Sequence, residues 1–312
     1  MQNVKLSIER SKVRQIVDSD RFNNIVFIAI LASSISIGFE TYDWGKNGEK
    51  FLIVAETLIE SNSEDKKVIL FADTFNINFE NQNLIYSIKV LNKFGFQAII
   101  PSFGKDKLNR ALCCGRTYIS YGQLDKASEE LNRFNDYIID NNYFNLPIVG
   151  IEPSCLLTFS DEYQKLKNVK NRKKIKNKFY LLEEFILEQI KNDNKVKMNK
   201  FDQNVLIHGH CHQKSQDRMK GLTGLLSELK INNKTIESSC CGMAGSFGYD
   251  NKNYEVSKKM ANLSLIPAIN NSDETDFIIA NGTSCRHQIA DLANKKGKHV
   301  SELLFKIFET VN

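Results

Sequence analysis

The sequence has no C-x2-4-C knuckle, no C-x2-C-x2-C-x3-C-P run and no G-x-G-x-x-G turn behind a first strand. The first absence removes the usual ligand source of a structural zinc site, the second removes ferredoxin-like clusters, and the third removes a dinucleotide fingerprint. Nothing resembles a secretory cleavage site, and the number of cysteines is odd, so a disulfide framework is the wrong frame. The formal charge of +5 is modest, and much of the basic excess is local. Between Lys165 and Lys178 fall eight basic residues, no acid and no interleaved aromatic side chain. That stretch is expected to be a solvated connector between domains, and no nucleic-acid partner is expected.

What is present is a chain of 312 residues with 42% apolar content, enough for one large domain or two ordinary ones around a buried core. Of its seven cysteines, four are consecutive pairs, Cys113-Cys114 and Cys240-Cys241, each followed by a glycine and a helix-like stretch. Adjacent cysteines rarely bridge each other, so thiols kept for metal or redox work in a reducing compartment fit better.

The pairs belong to a longer repeat. "KKVILFADTF" and "NVLIHGHCHQ" both read as buried strands, running from Lys66 to Phe75 and from Asn204 to Gln213. Each is followed by a helical stretch, a short strand ("FQAIIP" or "NKTIESS"), a cysteine pair with its helices, and a further strand ("LPIVGIEPSC" or "DFIIANGTSC"). In the last of these, Ile148-Val149 matches Ile278-Ile279 and Ser154-Cys155 matches Ser284-Cys285. Alternating strands and helices predict two similar Rossmann-like α/β units with parallel sheets. The expected division is an amino-terminal helical segment at 1–63, a first unit with its basic connector at 64–180, and a second unit at 181–312.

In open parallel sheets, functional groups gather beyond the carboxyl ends of the strands. The spacing therefore brings Cys211, Cys240, Cys241 and Cys285 together in the second unit. Cys113, Cys114 and Cys155 gather likewise in the first, with Asp73 where a fourth thiol would be. Converging thiolates are soft ligands for iron–sulfur clusters or zinc. Adjacent cysteines reach two points of an extended cluster more easily than two corners of one tetrahedron, which leans the geometry towards iron and sulfide. Zinc stays as the alternative because His210 and His212 flank Cys211. Burial as small hydrophobes would suit one cysteine better than two matched sets. His208, His210 and His212 are expected to hydrogen-bond the sulfurs or the backbone more than to ligate. Gly242, Gly245 and Gly248 would let the backbone approach a cluster closely, or serve as an ordinary turn.

The stretches "EPSCLLTFSDEY", "HGHCHQKS", "SCCGMAGSFGY" and "SCRHQIAD" resemble the paired cysteine-rich "CCG" domain of iron–sulfur oxidoreductases. The likeness runs from about Lys66 to Leu304 and is strongest to the carboxyl-terminal part of FAD-linked 2-hydroxy-acid dehydrogenases of the D-lactate and glycolate type. The resemblance implies an electron-transfer module, inactive alone and open to being a piece of a larger enzyme. It would relay electrons from a flavoprotein partner, which carries the FAD, to a quinone, cytochrome or disulfide acceptor. It also implies a 4Fe-4S-type cluster on the second unit's cysteines and a weaker or empty site in the first. This chain departs from the fullest pattern in having Glu152 and Gly282 where a C-x-x-C pair would begin, and Asp73 for a cysteine. A zinc-stabilised scaffold without redox activity is the alternative.

Residues 21–42 separately resemble the first transmembrane helix of voltage-gated cation channels. Phe22 to Phe39 is an uncharged run of 18 residues, diluted by Asn23, Asn24, three serines and Gly38. No arginine ladder or pore segment follows, so channel activity is not implied. The expectation is a cytoplasmic protein whose residues 22–39 either touch the membrane or pack as a buried helix.

Overall fold

The computed structural model describes residues 66–101, 111–175, 178–192, 196–238 and 240–308. The hydrophobic run 22–39 lies outside them, and among the described residues no helix is long and apolar enough to cross a membrane. The first half runs β1 (Lys66–Phe71), α1 (Thr74–Asn78), α2 (Asn81–Lys93), β2 (Phe96–Ile99), α3 (Arg116–Ser120), α4 (Leu124–Asp140) and β3 (Ile148–Gly150). Helices α5 (Pro153–Ser160) and α6 (Glu162–Lys165), a 3-10 turn at Arg172–Lys174, β4 (Phe179–Leu181) and α7 (Leu182–Asn192) follow. The second half runs β5 (Val205–His208), α8 (Cys211–Ser215), α9 (Met219–Glu228) and β6 (Asn233–Thr235). A 3-10 turn at Phe247–Tyr249, α10 (Tyr254–Ala261), α11 (Leu265–Asn270), β7 (Phe277–Ala280), α12 (Thr283–Ala293) and α13 (Val300–Phe308) complete it.

The strands form two sheets, ordered β2-β1-β3-β4 and β6-β5-β7, and every pairing is parallel. The central strands are apolar on both faces, as a sheet covered by helices on each side requires. Alternation then sorts their side chains. Val68, Leu70, Val149, Val205, Ile207, Phe277 and Ile279 enter one core shared by the two sheets. Ile69, Phe71 and Ile148 face a second core, and Leu206, Ile278 and Ala280 a third. The halves also interlock through helices. The last helix, α13, packs on α2 of the first half, with Phe305 stacked on Tyr86 at 4.6 Å and Phe308 edge-on to Phe94 at 5.0 Å. Helix α7 packs on α9, while its Phe185 meets Phe96 of β2 at 4.9 Å.

The strands are shorter than the sequence suggests. They stop at Phe71, Gly150, His208 and Ala280, so Cys155, Cys211 and Cys285 sit in the first turns of the helices that follow. The first sheet also keeps Leu181, one residue past the expected division at 180/181. Sheet register makes the repeat explicit. Phe71 lies opposite Gly150, and His208 lies opposite Ala280 in the same arrangement. Phe71 is thus equivalent to His208, and counting forward makes Asp73 the counterpart of His210 and Thr74 that of Cys211. This corrects the expectation that Asp73 stands where the fourth thiol would be. Both Asp73 and His210 cap the N-terminus of a five-residue helix with their side chains.

The described part of the basic run lies on the surface, pinned by Arg172, which donates to Gln164 O at 2.9 Å and to Leu166 O and lies over the Tyr163 ring.

Candidate metal centre

Three chain turns at the carboxyl edge of the second sheet supply its thiols. After β5 the chain breaks at Gly209, His210 caps α8, and Cys211 opens that helix. After β6 comes the Cys240-Cys241 pair, and after β7 the turn at Gly282 leads into α12, where Cys285 is the third residue. The Sγ atoms of Cys285 and Cys241 are 3.4 Å apart. Cys240 is in hydrogen-bonding contact with both Cys211 and Cys241, and Cys211 also feels the charge of Cys285. All four predicted thiols therefore converge, with Cys241 and Cys285 buried and the other two half-buried.

Their surroundings shift the four thiols in opposite directions. Contacts from Cys211 and Cys241, with the backbone N–H groups of Gly242 and Ala244, hold Cys240 far below the usual thiol range. Cys285 is held well below it too, first by Cys241 and then, against the cost of burial, by a hydrogen bond from His208. Cys211 and Cys241 are pushed up, first by their hydrogen bonds to Cys240 and then by burial or by Cys285. The four sulfurs share one pocket, a donor set suited to a soft metal or an iron–sulfur cluster.

The glycine of the cysteine pair is fixed by geometry. Gly242 has φ +90°, its N–H donates to Cys240 Sγ at 3.2 Å, and a Cβ there would lie 2.1 Å from the Ser257 carbonyl oxygen. Gly115, its counterpart, also has positive φ, and a Cβ there would lie 3.1 Å from the Ala127 carbonyl oxygen. Gly245 needs its glycine only for φ +69°, since nothing lies within 4 Å of a Cβ there. Of the predicted pair, Gly242 touches a site sulfur.

The three histidines have different tasks. His208 lies within 4.8 Å of Cys241 and Cys285, and its Nδ1 meets Ser238 Oγ at 2.9 Å. His210 Nδ1 accepts from the His212 N–H at 3.2 Å, and its Nε2 lies 3.9 Å from Glu152 Oε1. Gly282 makes room for that ring, because a Cβ there would sit 2.4 Å from His210 Cδ2. His212 stacks on His210 at 5.2 Å, and its Nδ1 is buried with no hydrogen-bond partner. Burial, then the charges of His210 and Arg116, push its pKa down to about 4.

The first half repeats the pattern with fewer thiols. Cys114 is in hydrogen-bonding contact with Cys113 and Cys155, and the Gly115 and Arg116 N–H groups point at Cys113 and Cys114 Sγ at 3.4 and 3.5 Å. Cys155 is pushed up to about 11: a hydrogen bond from Cys114 opposes the rise, while burial and the charges of Asp73 and Glu152 outweigh it. Asp73 is close enough to act on that thiol, yet its oxygens accept from the Phe75 and Asn76 N–H groups at 3.0 Å and from Asn76 Nδ2 at 2.8 Å. Burial, then Glu152, raise its pKa to about 7.

Sequence reasoning expected His208 to hydrogen-bond the sulfurs or the backbone, and it shares alternation with Leu206 on the face that holds Cys241 and Cys285. That reasoning missed Glu152 as a link, because its Oε2 accepts from the Thr283 N–H at 2.9 Å across the two halves.

Residues 205–290 match the family model described as the cysteine-rich domain, CCG. Among curated proteins, the chain is 24% identical over 227 residues to one of the polypeptides of the anaerobic glycerol-3-phosphate dehydrogenase of Escherichia coli K12, covering 70% of this chain and 53% of that protein. It is 22% identical over 263 residues to the D-2-hydroxyglutarate dehydrogenase of the same strain, covering 81% of this chain and 24% of that one. The corresponding figures for the Pantoea ananatis enzyme are 24% over 247 residues, 78% and 22%. The chain thus spans about half the length of the first relative and roughly a quarter of the other two. The relatives are oxidoreductases by name, as the resemblance of the cysteine motifs implies.

Proposed function

We propose that this chain is an iron–sulfur electron-transfer module of an oxidoreductase, relaying electrons from a flavoprotein that oxidises a 2-hydroxy acid to a downstream acceptor. The observation that carries this reading is the convergence of Cys211, Cys240, Cys241 and Cys285 in one pocket with backbone N–H groups aimed at their sulfurs. Those four residues would hold a 4Fe-4S-type cluster, which supplies one-electron transfer when bound. The N–H groups of Gly242, Met243 and Ala244 stabilise negative charge on Cys240 and Cys241, and His208 does so on Cys285. His210, locked between the His212 N–H and Glu152, sets the shape of the pocket wall. In the first half, Cys113, Cys114 and Cys155 form the weaker site, because Thr74 stands where a fourth thiol would complete it. The FAD belongs to the partner, and free thiols of this kind favour a reducing, cytoplasmic setting. The relatives' names support a 2-hydroxy acid or glycerol 3-phosphate as the substrate of the whole enzyme.

The test is the metal and acid-labile sulfide content of anaerobically purified protein, repeated for Cys241→Ser and Cys114→Ser. Iron with sulfide, most of it lost in the first variant and little in the second, is the expected outcome. Zinc without sulfide would instead establish a non-redox scaffold, and equal losses in the two variants would show the sites to be assigned wrongly.

A further inference from the structure

His212 has the one histidine nitrogen among the described residues that is buried and left without a hydrogen-bond partner. A buried ring nitrogen cannot stay unpaired without cost, so it needs an occupant that the protein itself does not provide. Its neighbourhood names the chemistry. One ligand atom each from His210, Cys211 and His212 lie within 4.8 Å of one another. A sulfur at about 2.3 Å and a nitrogen at about 2.0–2.1 Å from one metal lie within such a distance of each other.

We propose that His212 is a direct ligand, sharing with Cys211 a metal atom of the group that the four thiols hold. This rests on the functional reading above and goes beyond it, since there the histidines only orient and stabilise. His210 and His208 are unsuited to the role. His210 Nδ1 accepts from the His212 N–H and its Nε2 faces Glu152, while His208 is held by Ser238 and donates to Cys285. Stacking of the two rings at an interplanar angle of 16° fixes the orientation of His212 before anything binds.

The molecule carries its own control. Counting from the register match of Phe71 with His208, Thr74 occupies the Cys211 position in the first half and Phe75 the His212 position. The first half therefore lacks both members of the pair together, as expected if the two act on the same metal atom. A neutral imidazole donor in place of a further thiolate lowers the negative charge around a cluster and raises its reduction potential, as histidine ligation does in Rieske centres.

The experiment uses the full chain, purified anaerobically from cells fed 15N-histidine. Pulsed EPR of the dithionite-reduced protein reads histidine nitrogen coupled to the unpaired spin, and X-ray absorption at the metal edge reads the same ligand if the reduced state is EPR-silent. The nitrogen signal should be present in the unaltered chain and in His208→Gln and His210→Gln. It should vanish in His212→Ala and in His212→Cys, and the cysteine variant should keep its metal and show a lower midpoint potential. A signal that persists in both His212 variants, or that is lost only in His210→Gln, overturns the assignment. A full complement of iron and sulfide without histidine nitrogen overturns this inference alone, whereas a chain with no bound metal overturns the functional reading and this inference together.

Discussion

Gly242 and Gly245 sit three residues apart in one loop and both have positive φ, yet they are constrained by different physics. At Gly245 only the backbone conformation resists a side chain, and an alanine there should cost about 1–2 kcal/mol. At Gly242 the same conformational cost is joined by a Cβ 2.1 Å from the Ser257 carbonyl oxygen, which belongs to helix backbone and cannot swing aside. Gly242→Ala should therefore cost about 3 kcal/mol or more, because left-handed strain and overpacking add. Urea midpoints of the two variants would check this, and similar shifts would show that the loop yields at Gly242. Since the Gly242 N–H also donates to Cys240, the costlier variant should displace a thiol as well as loosen a loop.

At the level of elements, the two halves are fastened through the amino end of α12. Arg286 is buried there and donates to the carbonyls of Ala280 and Asn281 at 2.7 and 2.8 Å, and to both carboxylate oxygens of Glu80 in the first half. Glu80 in turn accepts from Thr283 Oγ1 at 2.8 Å, and a hydrogen bond and charge from Arg286 draw its pKa down despite burial. Removing the guanidinium leaves two carbonyls and a partly buried carboxylate unpaired, so Arg286→Met should destabilise by about 3–5 kcal/mol. Glu80→Gln, which keeps an acceptor and discards a charge, should cost much less. Comparable losses for the two would mean that the charge, not the hydrogen bonding, holds the halves together.

None of this fastening was legible in the sequence. Glu80 precedes α2 in one repeat and Arg286 lies on α12 in the other, and no periodicity links them. The repeat itself was legible, because buried parallel strands leave continuous apolar runs and the cysteine pairs mark the same point in each half. The strand ends were misjudged for a local reason. Helices α1 and α8 have five residues each, too few to show helical periodicity, and their N-caps follow the strands after a single residue. The four second-half thiols were legible because each follows a strand of one sheet. The distinct tasks of the histidines in "HGHCH" depend on Ser238 and Glu152, which only the fold brings near.

At the scale of the whole molecule, Glu183 lies between the halves, 1% exposed, where α7 meets α8 and the turn after β7. Its Oε1 accepts from Gln213 Nε2 at 2.8 Å and Asn281 Nδ2 at 2.9 Å, but burial and then the charge of Glu184 raise its pKa to about 8. The folded chain thus holds a proton near neutral pH that the unfolded chain has released. Stability from this group is complete below the ordinary glutamate value of 4.5 and is lost as pH rises through about 8, with a slope of up to about 1.4 kcal/mol per pH unit. Two other buried groups tilt the curve in different ranges. Asp73, raised to about 7, adds loss of the same sign. His299 is held by Ile151 O and Ser301, and burial followed by the charge of Arg286 pushes its pKa down to about 3. The unfolded chain therefore binds a proton there first, and stability gains as pH rises from about 3 to the ordinary histidine value of 6.5. Glu183→Gln isolates one contribution, because the amide keeps an oxygen for both donors and cannot ionise. Urea unfolding of the two proteins across this range should give a variant-minus-native stability difference that grows from about pH 5 to about pH 8 and then levels, while the shared terms cancel. A difference independent of pH would show that Glu183 is already ionised in the folded chain, its charge carried by the two amide donors alone.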